Sequence, residues 1–159
     1  VEIDTRRLRL IPFSEEIIQA AMGRDRERLA ALGIVADEEW PEPDLVEALP
    51  HFRRLIRDHG LTGFNGWLVL DRRTREIVGS LGFIGEPDEK GSIEIGFGMV
   101  PGRRRQGYCE EAARALIGWA EGRAGGPVDH GPLRRGQREI DRVIEEARLQ
   151  GSRPGRCAD

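Results

Sequence analysis

The sequence predicts a mixed α+β domain, with a central, mostly antiparallel sheet flanked by helices. Three observations predict it. Short apolar runs follow one another between positions 66 and 100 with connections too short for crossover helices, which requires an antiparallel meander. Directly after them the hydrophobic period changes from that of a strand to that of a helix. The 159 residues suffice for one core and contain no internal repeat or linker, so residues 1–159 are read as a single domain.

The elements follow in order. Thr5 to Pro12 alternates, with Leu8 and Leu10 on one side and Arg7 and Arg9 on the other, as a half-buried first strand does. Ser14, followed by Glu15, Glu16, Ile17 and Ile18, reads as an N-cap and first helical turn. Gly23 ends that helix, and Arg24 to Leu32 makes another short one. Glu39-Trp40-Pro41-Glu42-Pro43 breaks the period and is read as a loop. Asp44 is expected to cap a helix that carries Leu45, Leu49, Phe52, Leu55 and Ile56 on one face and ends near Gly60. Gly66–Asp71, Glu76–Ile84 and Gly91–Val100 are the three meander strands. The last places Ile93, Ile95, Phe97 and Met99 on one face. Gly107 to Glu121 then has Ala112, Ala113, Leu116, Ile117 and Ala120 at helical spacing.

Composition narrows the function. A hydrophobic content of 38% and a charged content of 33% suit a soluble globular chain. The net charge of −3 gives no bulk attraction to nucleic acid or anionic membrane. No apolar run approaches the roughly 18–20 residues that span a bilayer. The first residues are charged from the second position, unlike a signal peptide, so the expected location is the cytoplasm. Two cysteines, Cys109 and Cys157, are too few for a disulfide framework or a zinc cluster. His51, His59 and His130 have no partner at ligand or triad spacing, and no metal is expected.

The junction from Val100 to Cys109 carries the chemistry. It joins a strand directly to a helix, so the first N–H groups of that helix have no carbonyl of their own to reach. With the helix dipole they form an anion site. Arg103, Arg104 and Arg105 add positive charge, and Gly107 lets the backbone approach a phosphate closely. The combination suits a pyrophosphate.

The segment from Glu94 to Ala112, E-I-G-F-G-M-V-P-x-x-R-x-Q-G-Y-x-x-E-A, resembles the acetyl-CoA-binding strand and turn of GNAT N-acetyltransferases. The family's turn, R/Q-x-x-G-x-G/A, is matched by Arg104, Gly107 and the small Cys109. The opening T-R-R-L-R-L-I-P-F resembles the branch that includes ribosomal-protein N-terminal alanine acetyltransferases. The resemblance covers residues 5 to about 122. It implies acetyl transfer from acetyl-CoA, as co-substrate, to a primary amine of a protein N-terminus or small molecule, with a homodimer left open. It also implies that the backbone of Met99 and Val100 pairs with the pantetheine arm. The amides of Arg104, Arg105, Gln106, Gly107, Tyr108 and Cys109 would cradle the pyrophosphate. An attacking amine must first lose a proton from a group of pKa roughly 8–10. Glu94 is the nominated base, directly or through a water.

Each feature has a plainer reading. Arginines in a turn are commonly solvated, and a polar residue at an alternate strand position commonly faces solvent. Tyr108 suits packing better than acid catalysis, and Trp40, Trp67 and Phe64 suit the core better than an acceptor cleft. The family usually has glycine where Arg105 stands. Two other functions fit in part: a GNAT-fold protein that binds CoA without turnover, and a nucleotide-binding module, which lacks the G-x-x-x-x-G-K-S/T loop.

From Gly122 onward the text departs from the family. A buried strand is expected, and glycine, proline and charge stand there instead. The family's D-N-x-x-S-I-x-x-L-x-x-x-G-F motif is missing. Read one base later, the codons permitted for Gly136 to Gln150 allow D-N-x-K-S-I-x-x-L-x-x-x-G-F-K, which points to a single-base frameshift between about Gly118 and Gly126. Lys90 is the only lysine among 25 basic residues, and with 21 glycines this marks a GC-rich coding sequence. As written, Gln137 to Gln150 suits an amphipathic helix, and disorder is expected after Gly151.

Overall fold

The computed structural model describes residues 1–84 and 94–124. The tail readings, the turn at 85–90 and the position of Ile93 therefore lie outside the described residues. Among the described residues, five strands form one sheet in the order β1 (Ile3–Asp4), β2 (Leu8–Pro12), β3 (Gly66–Asp71), β4 (Ile77–Ile84) and β5 (Glu94–Met99), every neighbouring pair antiparallel. The helices are α1 (Glu15–Met22), α2 (Arg26–Ala31), α3 (Pro43–His59) and α4 (Tyr108–Ala124).

The sheet divides two apolar clusters. On one side α4 lays Cys109, Ala112, Ala113 and Leu116 over Leu8, Leu10, Trp67, Val69, Leu81, Phe83, Ile95 and Met99. On the other, α1, α2 and α3 cover Ile11, Leu68, Leu70 and Ile77 with Ile17, Ile18, Leu29, Leu45 and Leu49. This is the alternation of a sheet buried on both faces. Trp67 is wholly buried, and its Nε1 donates to the carbonyl of Gly63 at 2.7 Å.

Ser14 caps α1 as expected, its Oγ accepting from the Ile17 N–H at 3.2 Å. Two elements begin elsewhere than the sequence suggests. The first strand is interrupted: Thr5 N–H donates to the Leu8 carbonyl and Leu8 N–H to Thr5 Oγ1, both at 2.9 Å. Thr5 to Arg7 is therefore a turn between β1 and β2, because the threonine hydroxyl offers the backbone a closer partner than a ladder does. Glu42 takes the N-cap position of α3 without a side-chain cap bond, and Asp44 lies in the first turn. Pro43 decides this, since its fixed φ suits the first helical position and moves the cap one residue upstream.

The α2–α3 loop is held in place at several points. Val35 forms a parallel bridge with Glu76, and Arg75 Nε donates to the Gly33 carbonyl at 2.8 Å. Asp37 Oδ1 accepts from the N–H groups of Glu39 (2.9 Å) and Trp40 (3.1 Å). Trp40 is buried among the helices, and the Arg24 guanidinium donates to the carbonyls of Trp40 and Pro41. Residues 40–42 are thus fixed against the sheet, which matters below.

Candidate active site

Three parts meet at the C-terminal end of β5: the strand, the turn that follows, and the start of α4. Among the described residues β5 is the last strand of the sheet and is bonded on one side only, to β4. Met99 and Val100 are buried at its end, and Val100 N–H donates to the Val78 carbonyl at 2.9 Å. Pro101–Arg103 is one turn of 3₁₀-helix, its Arg103 N–H donating to the Val100 carbonyl at 2.8 Å. Gly107 follows at φ 76°, and its carbonyl accepts from Glu111 N–H at 3.1 Å, which starts the α4 ladder. Helix α4 therefore begins directly at the turn, the placement an anion-binding helix start requires. A strand edge that no described strand covers, leading into such a turn, fits an extended chain ending in a pyrophosphate.

The three arginines have separate fates. Arg103 is ion-paired with Glu76. Arg104 Nε donates to the Met99 carbonyl at 3.3 Å, tying the turn back to the strand it leaves. Arg105 is exposed and stands at φ 61°, in the left-handed region that favours glycine. That geometry accounts for the glycine that the resemblance implies there.

Arg7 is the residue that sequence patterning missed. The alternation of the sequence places it on the polar side of a strand, but the turn at Thr5 releases it toward α4. Its Nη1 donates to the Gln106 carbonyl at 2.8 Å, its Nε to Glu111 Oε2 at 2.7 Å, and its guanidinium lies 4.4 Å from the centre of the Tyr108 ring. Burial pushes the Glu111 carboxyl up, but the Thr5 hydroxyl, the Arg7 N–H and the Arg7 guanidinium together hold it below its ordinary value. Arg7 thus clamps the turn from outside. Tyr108 is buried under it, as a packing residue is.

Of the nominated site residues, Met99, Val100, Arg104, Arg105, Gln106, Gly107, Tyr108 and Cys109 come together in this one strand–turn–helix unit. Glu94 is the first residue of β5, paired with Ile84. Four residues of strand, about 13 Å, separate it from Gly98 at the turn end.

A second carboxylate, unnoticed in the sequence, lies at that end. Glu42 Oε1 would be 3.6 Å, and Oε2 4.0 Å, from a methyl group placed on Gly98. Among the described residues neither buried oxygen is hydrogen-bonded to another residue, and no side-chain cap bond forms at α3. Burial pushes this carboxyl above its ordinary range. The pull of its own backbone N–H and of Arg104 only partly offsets that, and Asp37 and Asp44 add to the rise. Across the ladder, Ser80 faces Gly98 and Gly82 faces Gly96.

Known proteins agree with this architecture. The family model described as an acetyltransferase (GNAT) domain matches residues 7–146. The Bacillus subtilis (strain 168) protein called Uncharacterized N-acetyltransferase YjdG is 44% identical over 121 residues, 76% of this chain and 72% of that protein. A GNAT-family acetyltransferase structure from Bordetella pertussis shares the fold at a TM-score of 0.51 and 19% identity, over 78% of this chain and 74% of that one. A strand edge running into a helix start, and a family match spanning most of the residues that build them, make this chain a member of the GNAT acetyltransferase family, acyltransferases that use acetyl-CoA as co-substrate.

Proposed function

We propose that this protein transfers the acetyl group of acetyl-CoA to a primary amine of a protein N-terminus or a small molecule. The observation that carries this is the β5 end, turn and α4 start, where a strand edge that no described strand covers leads into a helix N-terminus. Met99 and Val100 pair their backbone with the pantetheine arm, and the turn from Arg104 to Cys109 holds the pyrophosphate. The amine attacks the thioester carbonyl carbon, and the tetrahedral intermediate collapses with release of CoA thiol. Glu94 removes the net proton of the reaction to solvent through a water. The test is thiol release from acetyl-CoA with a panel of alanyl and seryl peptides, spermidine and kanamycin. Release that depends on one of these amines supports the reading. Tight acetyl-CoA binding without release points to a CoA-binding protein lacking turnover.

That second reading has one feature in its favour, the glycine-, proline- and charge-rich text from Gly122 onward, of which the family match includes the part up to residue 146. Sequencing the gene across codons 115 to 159 separates the two. A missing or extra base restores the family's motif and predicts an ordinary active enzyme. An intact reading frame predicts weak or absent turnover.

A further inference from the structure

The turn proposed to hold the pyrophosphate contains its own softest point. Arg105 at φ 61° and Gly107 at φ 76° both stand in the left-handed region, on either side of Gln106. Glycine populates both signs of φ about equally, so the backbone at 107 does little to stop the Gln106–Gly107 peptide from turning over. A trans peptide is planar, and its C=O and N–H point in opposite directions. Whatever holds the Gln106 carbonyl therefore also sets the direction of the Gly107 N–H.

Arg7 holds that carbonyl, its Nη1 donating at 2.8 Å. The same guanidinium donates from Nε to Glu111 Oε2 at 2.7 Å and lies 4.4 Å from the centre of the Tyr108 ring. Its Nη2 would meet a methyl group on Gly107 at 3.2 Å. One side chain thus spans positions 106, 107, 108 and 111. Its own place is fixed from two sides. Glu111 Oε1 accepts from the Arg7 N–H at 2.9 Å and from the Thr5 hydroxyl at 2.6 Å. From the connection after β3, the Arg72 N–H donates to the Arg7 carbonyl at 2.9 Å, and Arg72 Nη1 to the Thr5 carbonyl at 2.7 Å. A surface arginine paired with one carboxylate contributes little. An arginine forked between a carboxylate and a backbone carbonyl, with its own backbone tied down, fixes a geometry.

We infer that Arg7 is the positioning residue of the acyl-donor site: it sets the Gln106–Gly107 peptide plane and thereby the preference for donors that carry a pyrophosphate. This deepens the proposed function and rests on it. Arg7 acts through the backbone, from the carbonyl side of that peptide, and its role depends on the shape of the guanidinium fork rather than on its charge. Glu111 and Thr5 hold the fork in place.

The test compares wild type, Arg7→Lys, Arg7→Ala and Glu111→Gln, with CoA affinity read by calorimetry and the stability of the free proteins by thermal melting. Lysine keeps the charge, but its single nitrogen cannot serve the carboxylate and the carbonyl together. Arg7→Lys and Arg7→Ala should therefore each bind CoA about tenfold more weakly, the worth of one well-made hydrogen bond. Arg7→Lys carries the decision where Arg7→Ala does not fold. Glu111→Gln leaves the bond to Gln106 and loosens its anchor, so its loss should be smaller, about threefold. A readout that general damage would not move is the choice of donor. In the thiol-release assay the preference for acetyl-CoA over S-acetylpantetheine, which lacks the pyrophosphate, should fall about tenfold in Arg7→Lys. Affinity alone decides where no amine is turned over. Wild-type CoA affinity in Arg7→Lys, or equal losses with the two donors, overturns the positioning role and leaves the acetyltransferase reading standing. Wild type that binds no CoA overturns both.

Discussion

The two faces of β5 are built in opposite ways. Toward α4 the strand carries Ile95, Phe97 and Met99, packed with Leu116 and Ala112 into a continuous core. Toward α3 it carries Gly96 and Gly98, and the Glu42 carboxylate closes over Gly98. One face is filled by the strand's own side chains, and the other is filled from outside the strand. A strand that needed only to fold would fill both faces, since each buried aliphatic side chain contributes roughly 1.5–3 kcal/mol. The difference separates the residues that make the protein stable from those available for chemistry, and each can be perturbed alone.

The largest expected effect is on the filled face. Leu116 is fully buried between α4 and the sheet. Leu116→Ala should cost about 2–5 kcal/mol of stability by lost transfer and an unfilled cavity. Chemical denaturation measures it. A change below about 1 kcal/mol would mean that α4 does not rest on this core as described.

The next effect is at the turn, where stability and binding should part company. Arg104→Ala with Gly107→Glu removes the tie to the Met99 carbonyl and places a carboxylate where the pyrophosphate is proposed to lie. Forcing a side chain to φ 76° costs roughly 1–2 kcal/mol, a fraction of a typical domain's 5–15. Its new Cβ would meet only the flexible end of Arg7, at 3.2 Å. The double variant should therefore stay folded yet bind CoA at least about 10²-fold more weakly, about 2.7 kcal/mol. Unchanged affinity by calorimetry would refute the assigned pyrophosphate site.

The Arg7–Glu111 clamp gives a smaller effect with a defined pH sign. Glu111 has a folded pKa below its ordinary value of 4.5, so the unfolded chain binds the proton more readily. The clamp's contribution is fully present above about that ordinary value and is lost as pH falls through the lower, folded one. Both partners are partly exposed, so solvent screening limits it to about 1 kcal/mol. The melting-temperature gap between wild type and Glu111→Gln should be open at neutral pH and close in acid. A gap that persists at low pH would assign the effect to packing.

Most of this architecture was legible in the sequence because local pattern and tertiary role coincide. The meander, the Ser14 cap and the strand-to-helix junction all appear in text order with their own signals. What escaped depends on contacts between distant positions. Arg7 looks like a polar strand residue until Thr5 turns the chain and brings it to Glu111, 104 residues away. Glu42 sits in a Pro-rich segment where a carboxylate is ordinarily solvated, and its burial beside Gly98 is a tertiary contact that the text does not carry. The glycines at 96 and 98 were the available hint: two gaps on one face of a strand whose other face is wholly apolar.

Arg105 offers the finest test, because two terms oppose each other there. An arginine at φ 61° carries left-handed strain of roughly 1 kcal/mol that glycine would relieve. Glycine, however, gains more freedom in the unfolded chain, which costs about 0.5–1 kcal/mol. Arg105→Gly should therefore change stability by less than about 0.5 kcal/mol in either direction. Binding then reports on the side chain alone. If the exposed guanidinium contacts the phosphates, CoA affinity should fall and the loss should shrink with added salt, since a solvated ion pair is screened. If affinity holds at low salt, the turn grips its ligand through backbone amides, and Arg105 merely occupies a position whose geometry suits glycine.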